Sequence, residues 1–239
     1  MSDQEDHAED REEGTPRRGV KSFVLRAGRA TAAQQRALEQ LWPKYGITYS
    51  ATAVDLDSVF GRTAPRMIEI GFGTGDALLN FAQHHSEIDC LGIEVHPPGV
   101  GRLLHNVELA GLSNVRVSMH DAVEVLREQV PIGSIDVIHI FFPDPWPKKR
   151  HHKRRLIQTT FANVLARVLR ADGVLRLATD WEPYATHMRE VLDVHPAFVN
   201  SAGSLGFVER NTERPLTRFE QRGQRLGHGV WDLEYRRAK

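Results

Sequence analysis

Between residues 66 and 194 the chain alternates short apolar runs with longer stretches whose apolar residues recur at helical spacing. The runs at 66–70, 90–95, 115–119, 135–142 and 174–179 have the length and continuity of strands buried on both faces. The stretches at 77–85, 97–110, 122–130, 156–169 and 182–194 read as helices. In 156–169, Leu156, Phe161, Leu165 and Leu169 fall near the 3.6-residue period, and Asp172 with Gly173 stops the pattern. Strands spaced by helices predict parallel pairing with helices on both faces. Two further strands, 207–209 and 230–235, flank a long polar connection. Together these give an α/β sheet of seven strands, mostly parallel with the last strand antiparallel. Upstream, Thr31 is placed to cap a helix through about Trp42, with Leu38 and Leu41 as apolar contacts and Pro43 as its end.

The first strand runs into Gly71, Phe72, Gly73, Thr74, Gly75 and Asp76 before the first helix of the alternation. Glycines there allow a tight turn and a close approach of backbone to ligand, and a helix N-terminus offers unpaired N–H groups. The spacing is G-x-G-x-G rather than the dinucleotide G-x-G-x-x-G, which weakens an NAD-dependent oxidoreductase reading.

The fourth strand ends in Phe142, Pro143, Asp144, Pro145 and Trp146. The prolines bar continuation of helix or sheet, and each is expected to hold the residue before it in extended geometry. Asp144 is thus held stiffly just past a strand end. Lys148, Lys149, Arg150, His151, His152, Lys153, Arg154 and Arg155 follow at once. A solvated charged face and a nucleic-acid phosphate contact both fit such a run; its place beside a rigid acid favours the phosphate contact.

Glu69, Glu94, Asp121, Asp144 and Asp180 each stand at or just beyond the C-terminal end of a successive strand. Ligands of a doubly wound sheet bind outside those ends, where the strand order reverses. With the order 3-2-1-4-5, the glycine turn faces the Asp144 loop, and Glu94, about twenty residues past the glycines, is placed for ribose hydroxyls. Five carboxylates repel a polyphosphate. A cationic ligand carrying adenosine fits them better, and S-adenosyl-L-methionine, a sulfonium, is the candidate cofactor.

Net charge adds nothing, since Lys plus Arg (31) equals Asp plus Glu (31), but its distribution does. Residues 1–16 hold seven acids against one arginine before Arg17 and read as a disordered tail; residues 17–45 form a basic arm and helix; residues 46–239 form the catalytic domain. In the arm, Arg17, Arg18, Lys21, Arg26 and Arg29 interleave with Phe23, Val24 and Leu25, which suits an ordinary solvated segment or an RNA contact. The single cysteine, Cys90, sits in an apolar strand and reads as a buried thiol. No apolar run has the length of a membrane span, and the acidic start is unlike a signal peptide, so a cytoplasmic location is expected. His84, His85, His151 and His152 lack a cysteine or paired acid to complete a metal site, and none is expected.

Six blocks, in order and spacing, resemble the bacterial tRNA (guanine-N7-)-methyltransferases. They are Glu69 to Gly73, Gly92 to His96, Phe142 to Trp146, His152 to Arg155, Ala178 to Trp181 and Thr217 to Glu220. The resemblance covers about residues 20–237; the Pro-Asp-Pro-Trp, basic and Thr-Arg-Phe-Glu blocks are its specific part. It implies a Rossmann-like methyltransferase sheet. Glu69, Gly71, Gly73, Glu94, Asp121 and Asp144 would hold S-adenosyl-L-methionine, with Asp144 also catalytic. Lys148, Asp180, Thr217, Arg218, Phe219 and Glu220 would hold the guanosine. Arg26, Arg150, His151, His152, Lys153, Arg154 and Arg155 would face tRNA. The implied product is N7-methylguanosine in the tRNA variable loop, made without a protein partner by a monomer or weak homodimer. Two other readings predict different outcomes. A methyltransferase of small molecules or proteins leaves the basic run idle, one of another RNA differs in which RNA takes the methyl, and a non-catalytic RNA-binding module leaves the glycine turn and its acids without a task.

Overall fold

A computed structural model describes residues 22–23, 30–203, 206–210, 214 and 229–239. Its centre is one sheet ordered β1-β4-β3-β2-β5-β6-β8-β7. The strands are β1 (Gly46–Ile47), β2 (Arg66–Ile70), β3 (Asp89–Ile93), β4 (Val115–Ser118), β5 (Ile135–Phe141), β6 (Leu169–Thr179), β7 (Phe198–Asn200) and β8 (Trp231–Arg237). β1 through β6 pair in parallel, and β8 runs antiparallel between β6 and β7. The five strands of the regular alternation stand in the predicted order, with the reversal between β2 and β5. Six of the seven expected strands form β2–β6 and β8, and the two-residue β1 and the short β7 are additions at the two edges.

The period-two alternation of a strand separates two cores. Met67, Cys90, Val115 and Val117 face α1 (Ala32–Tyr45), α3 (Asp76–His84) and α4 (Pro97–Leu109). Ile68, Ile70, Leu91, Ile93, Ile138, Ile140, Leu175 and Leu177 form the other core with Leu56 of α2 (Leu56–Phe60) and with α6 (Thr159–Val168) and α7 (Glu182–Asp193). Each such side chain, fully buried, contributes about 1.5–3 kcal/mol of transfer free energy. Cys90 is buried as expected, and burial pushes its thiol pKa up.

Several boundaries differ from the sequence expectation. α1 begins at Thr31, which makes a reciprocal capping box with Gln34, but runs through Pro43 to Tyr45. Pro43 gives up the bond its nitrogen would make to the Glu39 carbonyl, but the helix closes past it, where the Gly46 N–H reaches the Trp42 carbonyl. The predicted strand 207–209 supplies only a single bridge, Val208 to Asp232. The partner of β8 is instead Phe198–Asn200, where Phe198 is buried beside the Tyr235 ring. The helix expected at 122–130 is one α-turn, α5 (Ala122–Glu124), followed by a π-turn over Val125–Gln129; the carbonyls of Leu126, Arg127 and, just past it, Val130 accept from Arg167. The helix expected from 156 starts at Thr159, because extended Gln158 precedes it. β6 starts early, at Leu169, with an irregularity around Asp172, whose φ is 61°.

Candidate active site

At the reversal, the turn after β2 and the turn after β5 face one another. Gly71, Gly73 and Gly75 all have φ between 57° and 78°, where a side chain is strained. The Gly71 N–H donates to the Ile93 carbonyl (2.8 Å), pulling the turn toward β3. Glu94 clamps it from the other side. One carboxylate oxygen accepts from the Gly73 N–H (2.9 Å), and the other from the Val95 and His96 N–H groups (2.7 and 3.0 Å). Gly99, in the first turn of α4, closes the cradle: a Cβ there would lie 2.0 Å from the Gly73 carbonyl oxygen.

Two cavities meet at Gly71, Phe141 and Phe142. The larger, about 430 Å³, is bounded by Glu69, the glycine turn, His96 and Arg102. Glu69 shares the face of Met67, so the sheet buries its carboxyl: the residue is 3% exposed and its Oε2 meets no hydrogen-bond partner. Desolvation alone pushes its pKa up to about 8. The smaller cavity, about 220 Å³, gathers Glu94, His120, Asp121 and Asp144, with Ile70, Ile93 and Phe23 among its walls. Acids from the ends of β3, β4 and β5 therefore converge on one space. Asp121 also caps α5 through the Val123 N–H (3.0 Å), while Tyr49 stacks on the His120 ring at 3.7 Å. Neither aromatic carries a recognisable sequence signal.

Asp144 is exposed on a turn that is strained at both ends. Phe142 and Trp146 have φ of 52° and 46°. Phe142 precedes a proline, so the extended geometry expected for it is overturned. Its N–H still pairs with the Ala178 carbonyl (2.8 Å), and the chain must then reverse sharply out of the sheet. Left-handed bulky residues cost about 1–3 kcal/mol each and persist only where the surroundings hold them. Here the Trp146 indole donates to the Ser22 carbonyl (3.0 Å), and Arg154 lies over its ring at 4.9 Å. Arg155 Nε donates to the Pro145 carbonyl (3.0 Å).

The basic run folds as a 3-10 turn over Lys149–Arg154. Lys148, Lys149, Arg150 and Lys153 are exposed, and Lys153 and Arg154 border a groove of about 790 Å³ that reaches Asp121. Partial desolvation and the surrounding cations lower the His151 pKa. Arg155 departs from its neighbours. It is 4% exposed, and its guanidinium also reaches the Pro183 carbonyl and lies over the Tyr184 ring. The structure turns it inward to brace the Asp144 turn rather than outward to a phosphate. Asp180 is half-buried just past β6, at the same edge of the sheet. Arg26, Thr217, Arg218, Phe219 and Glu220 lie outside the described residues.

Comparison with known proteins decides the family. The model described as "Putative methyltransferase" matches residues 63–233. The tRNA (guanine-N(7)-)-methyltransferase of Stutzerimonas stutzeri is 54% identical over 237 residues, covering 99% of each chain. That of Leifsonia xyli is 56% identical over 216 residues, covering 90% of this chain and 95% of its own. This chain belongs to the tRNA (guanine-N7-)-methyltransferase family. Solved structures add the fold beyond the family. The 16S rRNA methyltransferase KamB superposes with a TM-score of 0.53 at 13% identity, over 90% of this chain and 99% of its own. An S-adenosylmethionine-dependent methyltransferase from Aquifex aeolicus gives 0.51 at 14% identity, over 77% and 88%. Against this family background, the structure brings Glu94, Asp121 and Asp144 to one cavity and Glu69, Gly71 and Gly73 to the adjoining one. No helix among the described residues is long and apolar enough to cross a membrane.

Proposed function

We propose that this chain transfers the methyl group of S-adenosyl-L-methionine to N7 of a guanosine in the tRNA variable loop. The observation that carries the reading is the pair of joined cavities, one ringed by three strand-end carboxylates and the other floored by the unpaired carboxyl of Glu69. A buried acid without a partner favours a cationic ligand, and the glycine cradle leaves room for one to lie against backbone. The residues fit the cofactor. Glu69, Gly71, Gly73, Glu94, Asp121 and Asp144 would hold it, and it would supply an activated methyl group on a positively charged sulfur.

The residue types suit methylation at N7. That nitrogen carries an in-plane lone pair and no proton, so no side chain has to act as a base. The site's task is to align the purine with the cofactor, a contribution of proximity. Positive charge grows on the guanine ring as it is methylated, and Asp144, which lines the cavity from a braced turn, would stabilise it. Asp180 and Glu220 are the acids suited to accept from the guanine N1–H and amino group. Lys148, Thr217, Arg218 and Phe219 complete the substrate contacts. Arg26, Arg150, His151, His152, Lys153 and Arg154 would receive tRNA phosphates beside the site. We assign catalysis to residues 46–239 and RNA capture in part to 17–45, and we take the enzyme to act in the cytoplasm without a protein partner.

The test is to incubate the chain with methyl-labelled S-adenosylmethionine and unmodified tRNA and to map the label by nuclease digestion. Label on guanine N7 in the variable loop is expected; label on another atom, or none, would discard the reading. Asp144→Ala is expected to abolish transfer while leaving tRNA binding intact, measured by filter retention.

A further inference from the structure

Arg214 lies three residues before Thr217, outside every motif discussed above, yet it is 2% exposed. Its guanidinium donates to both carboxylate oxygens of Asp232, at 3.2 and 3.1 Å. It also lies over the rings of Phe141 and Phe142, at 5.4 and 5.0 Å. The strand register explains the fit. Phe141 pairs with Ala178, and Ala178 pairs with Asp232, so the three form one row across β5, β6 and β8. The row has an aromatic ring at one end, an acid at the other and a methyl group between them. A planar cation laid along it meets an ion-pair partner and a π-face at once, and the small central residue leaves it room. The backbone around Arg214 is tied down as well. Arg210 donates to the Arg214 carbonyl, and the Val208 N–H to the Asp232 carbonyl (3.0 Å).

Phe142 is the strained residue at which the chain leaves the sheet for Asp144, and Arg214 lies on the face of its ring. A fork held on two sides cannot follow Phe142 if that residue relaxes toward ordinary backbone angles, so the turn stays where the sheet puts it. We propose that Arg214 is a positioning residue for methyl transfer: clamped to Asp232 and laid on Phe141 and Phe142, it fixes the turn that presents Asp144. Arg214 touches neither cofactor nor guanosine in this account, and it acts through the turn.

The proposal rests on the methyl-transfer reading, so wild-type protein is assayed in parallel. Arg214→Lys keeps the charge but loses the planar fork, and Asp232→Asn keeps the shape but loses the ion pair. Both variants are expected to lower kcat between about tenfold and a hundredfold, as small misplacements of reacting groups do. Affinity for S-adenosylmethionine, measured by calorimetry, should stay within about threefold, and KM for tRNA should change as little. The double variant should be no worse than the worse single one, because the two side chains act as one unit. Turnover within about twofold of wild type in both variants would overturn the proposal, as would a loss of turnover matched by an equal loss of cofactor affinity or explained by melting below the assay temperature. Failure of the wild type to methylate tRNA would defeat the underlying reading instead.

Discussion

Glu69 is the residue whose chemistry departs most from its solution behaviour. With its pKa pushed up to about 8 by desolvation, it carries a proton at neutral pH in the ligand-free protein. A cation placed beside it favours the ionised form, so cofactor binding should release that proton and tighten as pH rises toward 8. Glu69→Gln should remove both effects, and comparing the two proteins cancels the cofactor's own titration; calorimetry in buffers of different ionisation enthalpy reads the protons directly. Folding gives the same sign. Because the folded value is raised above the ordinary 4.5, the contribution to stability is present below that pH and lost as pH rises through about 8. The Gln variant should therefore gain on wild type in melting temperature between pH 6 and pH 9. That an acid stands at position 69 was legible in the sequence, as was its place at a strand end. Its burial without a partner was not, because that depends on the face it shares with Met67 beneath the helices. Arg155 gives the converse lesson: in a run of cations nothing local marks the one whose guanidinium is turned to a carbonyl 10 residues back and another 28 residues ahead.

At the scale of elements, the glycine turn, the first turn of α4 and the end of β3 work as one cradle. Gly99→Ala would thrust a methyl group into the Gly73 carbonyl, and backbone cannot swing aside as a side chain can. The expected outcome is a cofactor affinity reduced at least tenfold, with about 1–3 kcal/mol of lost stability in urea titrations, the usual cost of overpacking. Affinity equal to wild type would show that the contact does not shape the turn. The strands of the parallel half were readable because each is a continuous apolar run buried on both faces, and their order followed from the rule for doubly wound sheets. The antiparallel end was not. Phe198–Asn200 is three residues long and pairs only with β8, so its identity as a strand depends on a partner more than thirty positions away. α1 overran Pro43 because one lost helical bond near its end does not stop the turn that follows.

Across the whole molecule, zero formal charge conceals a separation in which the exposed cations 148–150 and 153 lie beside a ring of acids. Binding to tRNA should weaken with salt. Arg150→Ala and Lys153→Ala should each reduce the slope of log K against log salt by about one, the signature of one lost phosphate contact. Arg155→Ala should leave that slope as it is and lower turnover instead, which separates the inward arginine from its neighbours in a single titration series. The placement of β8 has a further consequence. It enters the sheet between β6 and β7 and brings the Asp232 that clamps Arg214. A nascent chain still on the ribosome can close the parallel half while β8 is inside the exit tunnel, but β7 has nothing to pair with and Phe142 lacks the clamped Arg214 on its ring. Competence for methyl transfer would then arrive all at once, when β8 clears the tunnel, and not by degrees as translation proceeds.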